Sequence, residues 1–518
     1  MDLAQILSRI WLLYFAFLLA AFLKSAAASL PLLKGQFKTL VRLDFVLAGF
    51  LMASFLALSG RFSWHIDLDF YGWGYVEDAL AIKDIFLLKV LPRFDLSQAT
   101  HIPGYSFLMF PVFLFGERLG PVSALNLAAS GLTVGLLYFL SYALSKDRLA
   151  AFLAAGFLAF SQPHILFGGF EFPIPAGLLF ITLEFLFFFL YLKDRRAWPG
   201  AAFLFAFFIA LNLKIENVVY GLFFAGVLLR QARHDAVLRG QLKRALPAIL
   251  VLGLVTLVLD IPFLLTLARY QSPLMSVSYG GFRMPFAPVY FLDHLRYAIE
   301  RTGGMALWAL AGLFILRRFS RDVRSIPLVV GWFLCSLLPL AYYADLKWQV
   351  LPIGLPVFVM FGYVVACALR LFIPSKKIRA ALAFLLLLLN ALPMVPHLSS
   401  PVSWKNIQRS FPVLPASSCV LAMETAHTTT SLPFLFPETK WIFMDPRTLE
   451  GQGCAGPGDL YYFNVVPYGL TEETPPLFIK NVEFWLNRRY VKEQEGSLKI
   501  YRLRPLPARP ETRMDEKN

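Results

Sequence analysis

The chain has 518 residues, 58% of them apolar and 16% aromatic, with a mean hydropathy of +0.62. Its 51 phenylalanines exceed what a water-soluble core of this length holds, which excludes a soluble globular enzyme. The net charge of +15 does not indicate nucleic acid, because the basic residues gather in short loops and are not interleaved with polar base-reading segments.

The N-terminal run "MDLAQILSRIWLLYFAFLLAAFL" lacks the basic n-region of a cleavable signal and reads as a retained membrane segment. Lys24 interrupts this segment and has to snorkel. Spans are expected near residues 10–31, 43–60, 121–143, 148–167, 173–192, 199–213, 217–230, 245–267, 303–316, 326–343, 349–369 and 379–396. That makes about twelve transmembrane helices. The pair at 199–230 is short and reads as a helical hairpin turning near Lys214. The loops "KGQFK", "KDRRAW", "RQARHDAVLRGQLKR", "RRFSRDVR" and "SKKIR" are rich in lysine and arginine and belong on the cytoplasmic side. Residues 61–104 then form the first external loop. The run "YSFLMFPVFLFGE", broken by Pro111, reads as interfacial or re-entrant.

From about residue 397 the texture changes. "CVLAMET", "KWIFMD", "DLYYFNVV" and "LKIYRL" alternate like strands, and "HTTTSLPFLF" reads as a helix between the first two. The expected fold is an all-α polytopic membrane protein, residues 1–396, followed by a small extracytoplasmic α/β domain, residues 397–505. Residues 506–518 read as a disordered tail. Cys419 and Cys454 share the external domain and are expected to form a disulfide, whereas Cys335 and Cys367 fall in spans. No cysteine–histidine spacing suggests zinc.

The first external loop contains "WHIDLDFYGWGYVEDALAIKD", with Asp67, Asp69, Glu77, Asp78 and Asp84. Taken singly, each acid fits a solvated loop. As a group they are interleaved with Trp64, Phe70, Tyr71, Trp73 and Tyr75, which suit an interfacial cleft. The apolar spacing of "EDALAIKDIFLLKVL" predicts a helix with Glu77 and Asp78 at its N-terminus, where the helix dipole keeps a carboxylate ionised, as a general base requires. External basic candidates are Arg93, Lys214, Arg269, Arg283, Arg301 and Lys347. Lys214 and Lys347 stand at membrane depth or at a span end. A mutual neutralisation of Lys214 and Glu216 is the alternative reading of that pair.

The order of these segments resembles the GT-C superfamily of membrane glycosyltransferases, particularly the protein O-mannosyltransferase and lipid A aminoarabinose transferase branch. Glu77-Asp78 stands where that family has an acidic pair leading a helix, and His101-Ile102-Pro103-Gly104-Tyr105 stands at its turn before an aromatic helix. "FGGFEFPIPAGLLF", with Glu171, "LNLKIENVVYGLF", with Lys214 and Glu216, and "YYADLKWQVLPIGLPVFVMFGY", with Lys347, follow in register. The terminal "GSLKIYRL" is similar to the last strand of the family's external domains. Two positions depart from the pattern: the acidic pair is reversed, and Ile102 replaces a proline. The base therefore stays open among Asp78, Glu77, Asp67 and Asp69.

The resemblance implies an inverting hexosyl- or pentosyl-transferase that moves a sugar from a polyprenyl-phosphate donor to an acceptor hydroxyl at the outer face of a plasma membrane, of the bacterial inner-membrane type. The acceptor is a glycan, a lipid or a protein. Lys347, Lys214, Glu171, Glu216 and His101 are the substrate- and phosphate-binding residues it implies, and Arg283 joins them as a candidate from the external basic residues. No cofactor and no metal ligands are assigned, and a divalent cation stays open. The competing classes are a secondary transporter, disfavoured by spans that read as nearly charge-free, and a non-catalytic protein that binds lipid-linked glycans.

Overall fold

The structure, a computed structural model, describes residues 3–36, 42–60, 72–87, 102–116, 120–169, 173–270, 288–302, 304–317, 326–341, 350–393, 411–415, 418–423, 432, 436, 438–444, 459–463, 486–487, 490–495 and 500–505. Two compact units divide the chain: residues 1–63 with 78–401, and residues 64–77 with 402–518.

The first unit is helical. Its elements run α1 (Leu3–Gln36), α2 (Arg42–Ser59), α3 (Gly72–Phe86), α4 (Gly104–Phe113), α5 (Gly120–Ser145), α6 (Arg148–Ala159), α7 (Gln162–Phe167) and α8 (Ile174–Asp194). They continue with α9 (Ala197–Leu213), α10 (Val218–Ala232), α11 (Ala236–Tyr270), α12 (Pro288–Arg301), α13 (Met305–Arg317), α14 (Ile326–Leu337), α15 (Val350–Phe372) and α16 (Lys376–Ala391). The start of α3 belongs to the second unit, the division falling between Glu77 and Asp78. Six of these helices contain stretches long and apolar enough to cross a bilayer: Arg9–Leu33, Arg42–Ser59, Gly120–Ser145, Ile174–Asp194, Ala236–Ile261 and Leu351–Phe372. Shorter apolar helices, such as Ala197–Leu213 and Met305–Ile315, lie among them.

Within the described residues each expected span overlaps a helix, and one of them is broken. The run at 148–167 ends as α6 at Ala159 and restarts as α7, because the Ser161 hydroxyl caps the new helix by accepting from His164 N at 3.4 Å and Pro163 occupies its first turn.

Charged turns tie one end of the bundle together. Asp44 is fully buried in the first turn of α2, accepting from Tyr138 Oη at 2.7 Å and pairing with Arg148 at 3.1 Å. Asp147 caps α6 through Leu149 N at 2.8 Å and receives Arg370 from the end of α15. Arg195, at the left-handed stop of α8 (φ 54), pairs with Asp235 at 3.1 Å. The Leu238 N–H, and then Arg195, hold the Asp235 carboxyl below its usual range. Burial and the neighbouring Lys193 lower the Lys146 pKa. Thus the turns after α5, α8, α10 and α15 share one end.

Elsewhere the packing is aromatic or very close. Phe185, Phe188, Phe203, Phe223 and Phe224 form a continuous ring cluster joining α8, α9 and α10. At the crossing of α6 and α15, by contrast, a Cβ built on Gly362 would lie 2.7 Å from Ala154 N and 2.9 Å from Ala150 O. The two backbones there are in direct contact.

The second unit contains one sheet of β1 (Cys419–Met423), β2 (Lys440–Met444), β3 (Leu460–Phe463), β4 (Tyr490–Glu495) and β5 (Ile500–Pro505), in the order β2-β1-β3-β5-β4. β1 runs parallel to β2 and β3, whereas β5 runs antiparallel to β3 and β4. Leu421, Tyr462, Leu486 and Leu503 form its buried centre. β4 is absent from the sequence expectation because "YVKEQE" carries no apolar alternation; as an edge strand it bears charge, and Glu493 pairs with Arg504 at 3.0 Å.

Cys419 is disulfide-bonded, and Cys335 and Cys367 are free. Cys454 lies outside the described residues. Non-reducing peptide mapping is expected to recover Cys419 linked to Cys454, and both thiols found free in unreduced protein would refute the pairing.

Candidate functional site

At the end of the bundle opposite the charged turns, two segments far apart in sequence meet. α4 begins directly after Pro103, with no side-chain cap on its first amides. A Cβ built on Gly104 would lie 2.2 Å from the Asn212 carbonyl oxygen and 3.2 Å from the Phe15 ring. Only glycine allows this approach, so the described part of the "HIPGY" turn rests on the last turn of α9.

That last turn is held by its own side chains. Asn212 Nδ2 donates to Phe208 O at 2.8 Å, and Lys214 leaves the helix in an extended conformation. A short 3-10 turn, Ile215–Asn217, follows, and Asn217 Nδ2 reaches back to Ala210 O at 2.7 Å. The result places Lys214 Nζ 3.4 Å from Glu216 Oε1, both side chains being mostly buried. On the α4 side, Tyr105 is fully buried and its hydroxyl accepts from Asn126 Nδ2 at 2.5 Å. Ser106 Oγ and Asn212 Oδ1 are buried with no hydrogen-bond partner. The approach of Gly104 to Asn212 thus sets the uncapped start of α4 against the end of α9, two residues before Lys214, and these group types suit a ligand with hydroxyl and phosphate groups.

A second acid joins this end. Asp260 of α11 is 5% exposed and faces the Trp11 indole, while Tyr14 beside it shares a 2.7 Å hydrogen bond with Thr256. Trp11 stacks on Phe15, the ring that touches Gly104.

The expected acidic pair is placed differently from the sequence reading. α3 starts at Gly72, so Glu77 and Asp78 lie in its second turn and not at its N-terminus, beyond strong help from the helix dipole. Tyr75, Val76, Ala79 and Ile82 are buried along the helix, and this burial extends it upstream through Gly72 and Gly74 despite their low propensity. Both acids are partly exposed. The Phe86 and Phe110 rings, 5.5 Å apart, join the far end of α3 to α4. Among the described residues no ion pair or hydrogen bond joins Asp78 to Lys214 or Glu216. Asp67, Asp69, His101, Glu171, Arg283 and Lys347 lie outside the described residues. No cluster of three metal-ligating side chains occurs among the described residues.

Sequence reading also passed over three buried charges. Glu184 and Asp260 sit within "ITLEFLF" and "LVLDIPF", and Lys83 is 5% exposed in α3. Ionisable residues therefore do lie within the apolar helices, and an acid inside an apolar run was the available signal. No known protein family and no curated protein matches the chain.

Proposed function

We propose that the protein is a multi-pass membrane glycosyltransferase that moves a sugar from a polyprenyl-phosphate donor to an acceptor hydroxyl at the outer face of the membrane. The observation that carries this reading is the meeting of the "HIPGY" and "LNLKIEN" turns, two elements of the family resemblance, at the end of the bundle remote from the basic turns. In this reading the chain crosses the membrane about twelve times, with the charged turns cytoplasmic.

The chemistry follows from the groups assembled. A carboxylate, Asp78 or Glu77, takes the proton of the acceptor hydroxyl. The freed oxygen attacks the anomeric carbon as the bond from that carbon to the lipid phosphate breaks, inverting the centre. The phosphate leaves as an anion, which Lys214, the α4 amides and Lys347 stabilise in a site of low dielectric. Glu216 holds the Lys214 ammonium in place between turnovers.

Transfer of radiolabelled sugar from a polyprenyl-phosphate donor to membrane acceptors tests the reading, with an Asp78→Asn, Glu77→Gln double variant as the control. Equal transfer by both proteins, or none by the wild type with any lipid-linked sugar, would reject it. Orientation is tested separately, in a background lacking Cys335 and Cys367. Cysteines introduced at residues 88 and 480 are expected to react with an impermeant maleimide from outside, and one at exposed position 234 is not. External labelling at 234 would place the assembled turns in the wrong compartment.

Secondary transport is the second reading. The buried Glu184 and Asp260 within membrane-length helices favour it.

A further inference from the structure

The end of α10 and the start of α11 form a cationic corner beside an exposed apolar face. Arg195, at the stop of α8, donates to Gln231 Oε1 at 2.7 Å and pairs with Asp235. Gln241 Nε2 donates to the Arg195 carbonyl at 2.6 Å, and Tyr191, Ala232 and Leu238 pack together as a small buried cluster there. Arg239 donates to the carbonyls of Ala232 at 3.0 Å and Arg233 at 2.9 Å, which brings it onto the end of α10. The ends of α8, α10 and α11 are thus fixed to one another. Asp235, the acid of this turn, is already engaged by Arg195 and the Leu238 N–H. Arg230, Arg233, Lys243 and Arg244 are exposed, and among the described residues none of them is in an ion pair.

Both helices then turn apolar on the faces that carry these cations. On α11, Arg239, Lys243, Leu246, Leu250 and Leu254 follow at helical intervals and are all exposed, so a single stripe runs from cation to leucine. On α10, Leu222, Leu229 and Arg233 make a second exposed stripe, and a Cβ built on Gly226 within it would meet nothing within 4 Å. From Lys243 to Leu254 the helix rises about 16 Å, close to the ~15 Å hydrocarbon depth of a single leaflet. A soluble polyanion would engage the cations and leave the leucines unused, whereas a phospholipid engages both. We propose that this corner is a docking surface for an anionic phospholipid of the bilayer, its phosphate against Arg233 and Lys243 and its acyl chains along the leucines of α10 and α11. The surface is separate from the turns around Gly104, does not depend on sugar transfer, and requires no assignment of its end of the bundle to one leaflet.

Native mass spectrometry of the full-length protein in detergent tests it, with phosphatidylglycerol and phosphatidylcholine of identical chains added in turn. Phosphatidylglycerol is expected to be retained about tenfold more strongly than phosphatidylcholine. Arg233→Gln combined with Lys243→Gln is expected to remove most of that preference. Lys376→Gln combined with Lys377→Gln, which removes two exposed cations at the start of α16, is expected to leave it unchanged. Equal retention of the two lipids by the wild type overturns the proposal. So does an equal loss in both double variants, which would reflect net charge alone. Glycerophosphoglycerol, the same headgroup without chains, is expected not to displace the lipid from the wild type. Displacement by it at equal concentration would assign the cations to soluble anions, and overturns the proposal even where the Arg233 and Lys243 double variant fails to fold.

Discussion

Asp78→Asn is expected to lower sugar transfer by about 10²–10⁴-fold while leaving membrane insertion and detergent elution unchanged, the usual effect of removing a general base. The substitution keeps the side-chain shape and removes only the ability to accept a proton. Asp84→Asn, in the last two turns of α3 and 3.9 Å from Lys83, is expected to matter much less. Because Glu77 and Asp78 both lie inside the helix, successive side chains point about 100° apart, so under the proposed reaction only one of them can serve as the base. The two single variants should therefore differ strongly. Near-full transfer by both, with loss in Asp67→Asn, would move the base upstream of α3. Near-full transfer by all three would make the acidic stretch a solvated segment.

Gly104→Ala is the second large effect expected. Its Cβ would meet a backbone carbonyl, that of Asn212 at 2.2 Å, and not the yielding tip of a side chain. α4 must then shift away from α9, at a cost of about 1–3 kcal/mol typical of overpacking. The first turn of α4 would lose its seat on the Asn212 carbonyl, so transfer should fall further than stability does. Thermal unfolding in detergent read beside the transfer assay separates the two effects. Gly177→Ala serves as a control on α8, because its added methyl meets nothing within 4 Å. A Gly104→Ala protein with unchanged melting and unchanged transfer would show that the meeting of the two turns is unimportant.

The helices were legible because a span announces itself by unbroken apolar length, which needs no knowledge of partners. The stop at Phe160–Ser161 was not, since a capping serine inside an apolar run looks like any other small residue until the chain bends there. The start of α3 was misread because Gly72 and Gly74 suggest a turn, and burial of Tyr75 and Val76 outweighs them. Parallel strands β1, β2 and β3 carry ordinary apolar runs and could be read directly, whereas β4 is recognisable only as the partner of β5. In the site, the Lys214–Glu216 pair was local enough to be weighed from sequence. The approach of Gly104 to Asn212, and the reach of Arg148 to Asp44 across 104 positions, exist only once the helices are packed.

The contact between α6 and α15 also limits how the membrane unit can move. With backbone against backbone at Gly362, neither helix can slip along the other by a turn, because any side chain brought to that point would collide with the Ala150–Ala154 ridge. The pair behaves as one fixed beam, further pinned where Arg370 grips Asp147.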